Sequence, residues 1–328
     1  MAPFIRFIRF TTFETDNYSH ICTMEKYRKE RNEYRTMKKG YYHLCTDGWK
    51  DGNIFNTVAQ YAYGMVLIGL ISIRYSLEIY DFTLMPNHIH IIMSGTGNNA
   101  VDAFLYLRHK LNNRLTSDGY PRLPDSYGFK LIPIENEDQM RSNILYVDRN
   151  HYEKLYAVPG GYPWCSSYLT FSLLGKMIKG KCVKDMTVRE IQNWTCSKTE
   201  LPPDWQFHPV LGLLPSSFVN QLLVNKLFKT PKNYTTRLVK DYESFVRIAH
   251  SFEEDVNYNQ QEVSAIISSI LQEKYHGKPI NKLDREELGH LVVMLNTHYD
   301  VPPELIADTL KLSTHLVNQF FRAKDFRK

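Results

Sequence analysis

Among the side chains of this 328-residue chain that could do chemistry, His88-Ile89-His90 stands first. On a β-strand, residues i and i+2 project to one face, about 6.5–7 Å apart along the backbone. Two imidazoles so placed can converge on one metal ion while Ile89 packs on the opposite face. The same pattern also suits two histidines on the solvent side of an amphipathic strand. Tyr146 and Asn150 form a second pair, at i and i+4 of an expected helix, a spacing that stacks both on one helical face. A tyrosine can act as a covalent nucleophile, and a nearby amide oxygen can complete the coordination of a hard cation. With 22 tyrosines in the chain, spacing alone favours reading Tyr146 as an ordinary helix-surface residue. His109 is a third histidine that could join His88 and His90 in a hydrolytic zinc site, but no acidic base is set beside it. His151 reads either as an acid or base next to Asn150 or as an exposed residue at a helix end.

The elements that must position these residues form a regular succession from Gly40 onward. Tyr41–Thr46 reads as a strand, and Asn56 as the cap of a helix running to about Tyr75. Ser76–Leu84 reads as a second strand, Met85-Pro86-Asn87 as a turn, and His88–Met93 as a third strand rich in β-branched residues. Apolar residues at helical spacing mark Asp102–Leu115 as a helix. Lys130–Glu135 follows as a fourth strand, then a helix over Glu137–Asn150 with Met140, Ile144 and Val147 on one face. This order implies an α+β fold, a ferredoxin-like antiparallel sheet with helices packed on it, followed by a mainly helical C-terminal region. The stretch from 156 to 240 shows only short helical pieces such as Ser216–Leu227. Beyond it, Gln261–Tyr275 reads as a helix. Pro303–Leu310, a turn at Lys311-Leu312, a cap at Ser313 and His315–Arg322 have the layout of a helix-turn-helix, whose second helix can enter a major groove.

Composition sets the outer bounds. At 43% hydrophobic and 23% charged residues the chain is globular rather than disordered. Its five cysteines are odd in number and show no CxxC spacing, which argues against a disulfide framework and for a reducing, cytoplasmic setting. Arg6 and Arg9 interrupt the N-terminal apolar stretch too early for a signal peptide. Gly52–Ile73 carries no charge, yet Asn53, Asn56 and Gln60 leave about a dozen apolar residues where a membrane span needs roughly 20. A buried helix is expected there. The net charge of +5 is unevenly spread: residues 156–240 hold 11 lysines and arginines against 4 acidic residues, while residues 241–328 are net acidic. A basic stretch of this kind suits a polyanion, and equally a solvated lysine-rich surface. Four regions follow: a mobile basic N-terminal arm (1–39), an α+β domain carrying the candidate catalytic residues (40–175), a basic connecting region (176–240), and a helical region ending in the helix-turn-helix (241–328). Met24 and Met37 are alternative translation starts.

The string LMPNHIHIIM (Leu84–Met93) resembles the LMPNHxHxxx signature of the single-tyrosine HUH transposases, in which U is a hydrophobic residue, and more narrowly that of REP-associated tyrosine transposases. Three further segments agree in order. YYHLCTDGWKDGNIF (Tyr41–Phe55) is similar to the family's opening strand and loop, YVDRN (Tyr146–Asn150) to its YxxxN helix, and GYPWCSSY (Gly161–Tyr168) to its YPWSSY segment. The resemblance covers about 130 residues, and a terminal helix-turn-helix is a common family appendage. It implies an HUH nuclease core in which His88 and His90 ligate Mg²⁺ or Mn²⁺, Tyr146 is the nucleophile, and Asn150 is a third ligand or a polar group near the metal. It further implies nicking and strand transfer on single-stranded or hairpin DNA through a 5′-phosphotyrosine, without a nucleotide cofactor, by a monomer or a homodimer. The sequence departs from the family where the usual NPV reads Asn150-His151-Tyr152 and where Cys165 interrupts WSSY, which bears on how the helix end and Asn150 are held.

Lys176, Lys179, Lys181 and Lys184 form a cationic run after Tyr162, Trp164, Tyr168 and Phe171, a mixture suited to phosphate pairing and base stacking. Trp164 reads better as a core residue. Arg322, at the end of the helix-turn-helix, is a further DNA-contact candidate. The rival to an enzyme is a non-catalytic or domesticated hairpin-DNA-binding protein derived from such a transposase.

Overall fold

A computed structural model describes residues 28–154, 161–168, 172–240, 242–254, 256, 258 and 260–322. The chain divides into two compact units: Met1–Glu135 with Lys154–Val224, and Asn136–Glu153 with Asn225–Lys328. The helix that carries Tyr146 falls inside the span expected for a catalytic domain, and it groups with the C-terminal half of the chain.

The first unit is built on strands β1 (Gly40–Thr46), β2 (Glu78–Leu84), β3 (Ile89–Gly95) and β4 (Phe129–Ile134). They form one antiparallel sheet in the order β2-β3-β1-β4. Two helices, α2 (Val58–Arg74) and α3 (Gly97–Ser117), pack on each other and on one face of the sheet. That face is read directly from the period of two: Tyr42 and Leu44 of β1, Ile89, Ile91 and Met93 of β3, and Phe129 and Leu131 of β4 enter one apolar core with Val66, Leu67, Phe104 and Leu107. The uncharged stretch expected to be a buried helix is α2, capped by Thr57 rather than Asn56. The Thr57 side chain accepts from the Gln60 amide, whereas the Asn56 amide donates to the Gln60 side chain. Among the described residues no helix is long and apolar enough to cross a membrane.

Edge strand β2 is partnered by the GYPWCSSY segment. Leu84 N donates to Trp164 O at 3.0 Å, Ser166 N donates to Phe82 O at 3.1 Å, and the Ser166 hydroxyl donates to the buried Asp81 carboxylate. Trp164 lies in the core, stacked on Tyr61 with ring centroids 5.1 Å apart. The region from 156 to 240 contains a second, three-stranded antiparallel sheet that the sequence did not announce: β5 (Lys181–Cys182), β6 (Gln206–His208) and β7 (Gly212–Leu213). Strands of two or three residues carry no readable alternation. Gly69 of α2 lets this sheet close in, since a Cβ there would run into the Leu213 side chain and crowd Phe218 and Trp205.

The N-terminal arm is corrected in part. Residues 1–27 lie outside the described residues, but residues 28–35 form a helix, α1, that docks on the first unit. Tyr34 packs on Phe129 at 5.4 Å, Arg35 reaches Asp102 at 2.7 Å, and Gly97 N donates to Met37 O at 3.1 Å. A Cβ at Gly97 would meet the Tyr34 carbonyl, so the small residue at the start of α3 makes room for the arm.

The second unit is helical. α4 (Glu137–Lys154) buries Met140, Ile144 and Val147 as the spacing requires. Helices Gln260–Lys274, Arg285–Thr297, Pro303–Leu310 and Thr314–Arg322 enclose a core of Val263, Ile266, Ile270, Leu291, Leu295, Ile306, Val317 and Phe320. The last two are joined through Lys311, whose positive φ of 56° ends the first of them. Leu316 N donates to Ser313 Oγ at 3.2 Å, so Ser313 caps the final helix.

Candidate metal centre and nucleophile

His88 precedes β3 by one residue, at the end of the Met85–Asn87 turn. That turn is held at several points: Met85 N donates to His88 O, Ile54 N and Phe55 N to Pro86 O, and Trp49 N to Asn87 O. The loop after β1 thus grips the turn, and Ile89 N donates to Thr46 Oγ1 at 2.9 Å, tying the start of β3 to β1. His90 follows two residues on, and its ring meets that of His88 edge to face with centroids 4.8 Å apart. The two histidines are brought together as the period of two predicts. They are buried, at 5% and 0% exposure, and so are not a solvent-facing stripe.

Register across the sheet adds two residues that the spacing of the motif does not reveal. Cys45 is the direct cross-strand partner of His90 on β1, and His43 lies two residues before it on the same face. His43 Nε2 and His90 Nδ1 are 3.1 Å apart, within hydrogen-bond distance, and Cys45 Sγ lies 3.9 Å from His90 Nε2. His88 Nδ1 donates to Asn87 Oδ1 at 2.8 Å, and the Asn87 amide nitrogen in turn donates to Trp49 O. In a neutral His88 ring this bond places the proton on Nδ1. A signal for His43 and Cys45 was present in the sequence, the same i, i+2 spacing on a neighbouring strand. Only the register shows that both strands turn these residues to one place.

Tyr146 and Asn150 share one face of α4 in the second unit, both at 1% exposure. The Tyr146 hydroxyl donates to a Glu254 carboxylate oxygen, and its ring packs on Phe245 and Phe252 with centroids 4.9 and 6.1 Å away. Glu254, 108 residues away in sequence, was not legible as a partner. Asn150 donates its amide nitrogen to the Tyr146 carbonyl at 3.1 Å. Beside them Tyr234 donates to Asp148 at 2.8 Å, and Arg149 sits over the Phe245 ring, 3.7 Å from Glu262. His151 is buried, not an exposed helix end, and desolvation pushes its pKa down to about 3. His109 stays on the outer side of α3, bonded to Asn113, and does not join the histidine pair.

The basic run is exposed, as expected, but its members differ. Lys176 and Lys179 border a cleft of about 450 Å³ in the first unit, together with Gln206, Ser216 and Ser217. Lys181 is bound to Glu190 at 2.8 Å, and this pairing helps pull the Glu190 carboxyl down to about 2. Lys184 is exposed beside it, and Arg322 is exposed on the last turn of the final helix. Of the aromatics, Tyr162 and Trp164 are core residues and are not available to stack on bases; Tyr168 is half-buried, and Phe171 lies outside the described residues. No family model matches the chain, and comparisons with curated proteins and with solved structures likewise find no match.

Proposed function

We propose that the chain nicks and rejoins single-stranded or hairpin DNA through a 5′-phosphotyrosine at Tyr146, in the manner of a single-tyrosine HUH transposase. The observation that carries this reading is the anchored imidazole pair, two buried rings with centroids 4.8 Å apart, with His88 held through Nδ1 by Asn87 Oδ1. The sheet order β2-β3-β1-β4 with two crossover helices on one face supports a ferredoxin-like HUH nuclease core around it.

The donor set fits a divalent ion. His88 and His90 would hold it; Asn150 as a further ligand is what the family resemblance alone implies. Bound there, Mg²⁺ or Mn²⁺ supplies Lewis-acid polarisation of a phosphate oxygen. The chain's own groups account for the rest. The Tyr146 hydroxyl gives up its proton to the Glu254 carboxylate that accepts its hydrogen bond, and the phenolate oxygen forms a bond to phosphorus. The bond to the 3′ oxygen breaks in line, and that oxygen leaves to take up a proton as a free 3′-OH. A 3′-OH of a second strand reverses the step, so no water and no nucleotide cofactor is consumed. The exposed Lys176, Lys179 and Lys184 give a backbone-binding surface, and the helix pair ending at Arg322 gives a helix-turn-helix that can contact duplex DNA.

The burial of Tyr146 between Phe245 and Phe252 favours a second reading, a non-catalytic hairpin-DNA-binding descendant. In this arrangement the phenol is covered, and attack requires that the helix bearing these phenylalanines yield. One experiment separates the two. The full chain is incubated with Mn²⁺ and labelled single-stranded hairpin DNA and resolved under denaturing conditions. A covalent adduct that vanishes in Tyr146→Phe and in His88→Ala is expected. An adduct undiminished in Tyr146→Phe overturns the nucleophile, and hairpin binding with no adduct selects the second reading.

A further inference from the structure

We infer that the cleft bordered by Lys176 and Lys179 is a subsite for one unpaired nucleotide of a DNA strand, with its phosphate on the lysines and its base turned out against Met177 and Leu222. The inference rests on the reading above for its ligand, single-stranded DNA, and is independent of the chemistry at Tyr146. The cleft lies within the first unit. Its walls come from the short helix Leu173–Met177 and the loop after it, from β6, and from the turn Pro215–Ser217 with the start of helix Gln221–Phe228.

The floor presents donors. Gln206 Oε1 accepts from Gly180 N at 3.1 Å, and Ser217 Oγ accepts from Gln206 N at 2.9 Å. Backbone amides thus occupy both oxygens, while the Gln206 amide protons and the Ser217 hydroxyl proton meet no other described residue. Such protons beside ammonium groups suit an anion rich in acceptor oxygens. Lys176 and Lys179 are exposed and form no ion pair among the described residues, unlike Lys181, which Glu190 holds. At about 450 Å³ the cleft falls within the roughly 300–1,000 Å³ of small-ligand sites, room for a sugar–phosphate unit and not for a duplex. No described aromatic side chain lines it, since Trp205 and Phe207, on either side of Gln206, enter the core. Apolar contact is offered at the edge instead. Met177 lies between two lining residues, Lys176 and Ile178, and Leu222 follows the lining residue Gln221. At 77% and 82% exposure they are the barest large apolar side chains among the described residues. Methionine and leucine are side chains that proteins set against unstacked bases. A duplex keeps its bases inside the stack and gives these two nothing to cover, so the site selects unpaired strand.

The test measures binding of the full chain, in EDTA so that no adduct forms, to a labelled single strand and to a duplex of the same sequence. Lys176→Ala combined with Lys179→Ala should flatten the slope of log affinity against log salt for the single strand by about 1.4, at roughly 0.7 per phosphate contact. Met177→Ser combined with Leu222→Ser should lower single-strand affinity by roughly tenfold at an unchanged slope and leave duplex affinity as it was. Asp204, the acidic group among the lining residues, opposes the phosphate, so Asp204→Asn should strengthen single-strand binding. All five positions are exposed, and matched urea midpoints confirm that the variants fold. Single-strand affinity unchanged in both double variants overturns the subsite, as does an equal loss on single strand and duplex. A mononucleotide that displaces the strand at the strand's own affinity makes the occupant a free nucleotide, and also overturns it. The two readings fail separately. A Mn²⁺-dependent adduct formed at the unaltered rate and affinity by the double lysine variant refutes the subsite and leaves nicking in place. The expected binding losses, with no adduct from the unaltered chain, keep the subsite and remove nicking.

Discussion

His43 touches the proposed metal only through His90. If His90 ligates through Nε2, its Nδ1 carries the proton and donates to His43 Nε2, so His43 selects the tautomer that leaves the inner nitrogen basic. His43→Phe is therefore expected to weaken metal binding by roughly 10–100-fold, read by titration. His43→Gln, whose amide oxygen can accept the same bond, should retain most of it. At the nucleophile, Glu254→Gln keeps the size of the side chain and removes its basicity. We expect adduct formation to slow by about 10²–10⁴ while hairpin affinity is unchanged, checked by adduct time courses beside an equilibrium binding curve. The two motif pairs were legible because each sits within one element and obeys its local period. His43, Cys45 and Glu254 were not, since they meet their partners across 47, 45 and 108 residues of sequence. Strand register and helix docking decide such meetings, and neither is written in local spacing.

At the scale of elements, the four strands of the first sheet and helices α2 to α4 lie close to where apolar periodicity puts them, because each is long enough to display a period. The β5-β6-β7 sheet escaped notice because its longest strand has three residues. The arm helix α1 was hidden by its charge, since its docking relies on Tyr34, Arg35 and Met37 rather than on a continuous apolar face. The close approach of β7 to α2 at Gly69 has a measurable cost attached. Gly69→Val adds atoms where Leu213, Phe218 and Trp205 already converge, and should destabilise the protein by about 1–3 kcal/mol, seen as a lower urea midpoint at unchanged slope. Ser313→Ala removes the cap of the final helix and should cost about 1 kcal/mol in the second unit, with weaker duplex binding if that helix enters a groove.

Across the whole molecule, charge and burial set how solution conditions act. If the exposed lysines pair with phosphates, log affinity for single strands falls with log salt, and Lys176→Ala or Lys179→Ala should each flatten that slope by about 0.7. For His151 the sign is as follows. Its folded pKa, about 3, lies below the unfolded value of 6.5. Between these two values the unfolded chain binds the extra proton, so stability falls as pH drops through that window and is unaffected by this group above it. The gap in stability between wild type and His151→Asn should therefore change with a slope approaching one proton between pH 6.5 and 3, measured by urea unfolding at a series of pH values. The interleaving of the two units has a consequence for biosynthesis. α4 leaves the ribosome with the first unit, yet Phe245, Phe252 and Glu254, which enclose Tyr146, are translated about a hundred residues later. At typical synthesis rates of about 5–20 residues per second, Tyr146 of a nascent chain stays bare for on the order of 5–20 seconds. A message cut short near Val224 would release that tyrosine, with the apolar face of Met140, Ile144 and Val147, permanently unsheathed, and such a fragment should be captured by chaperones or aggregate.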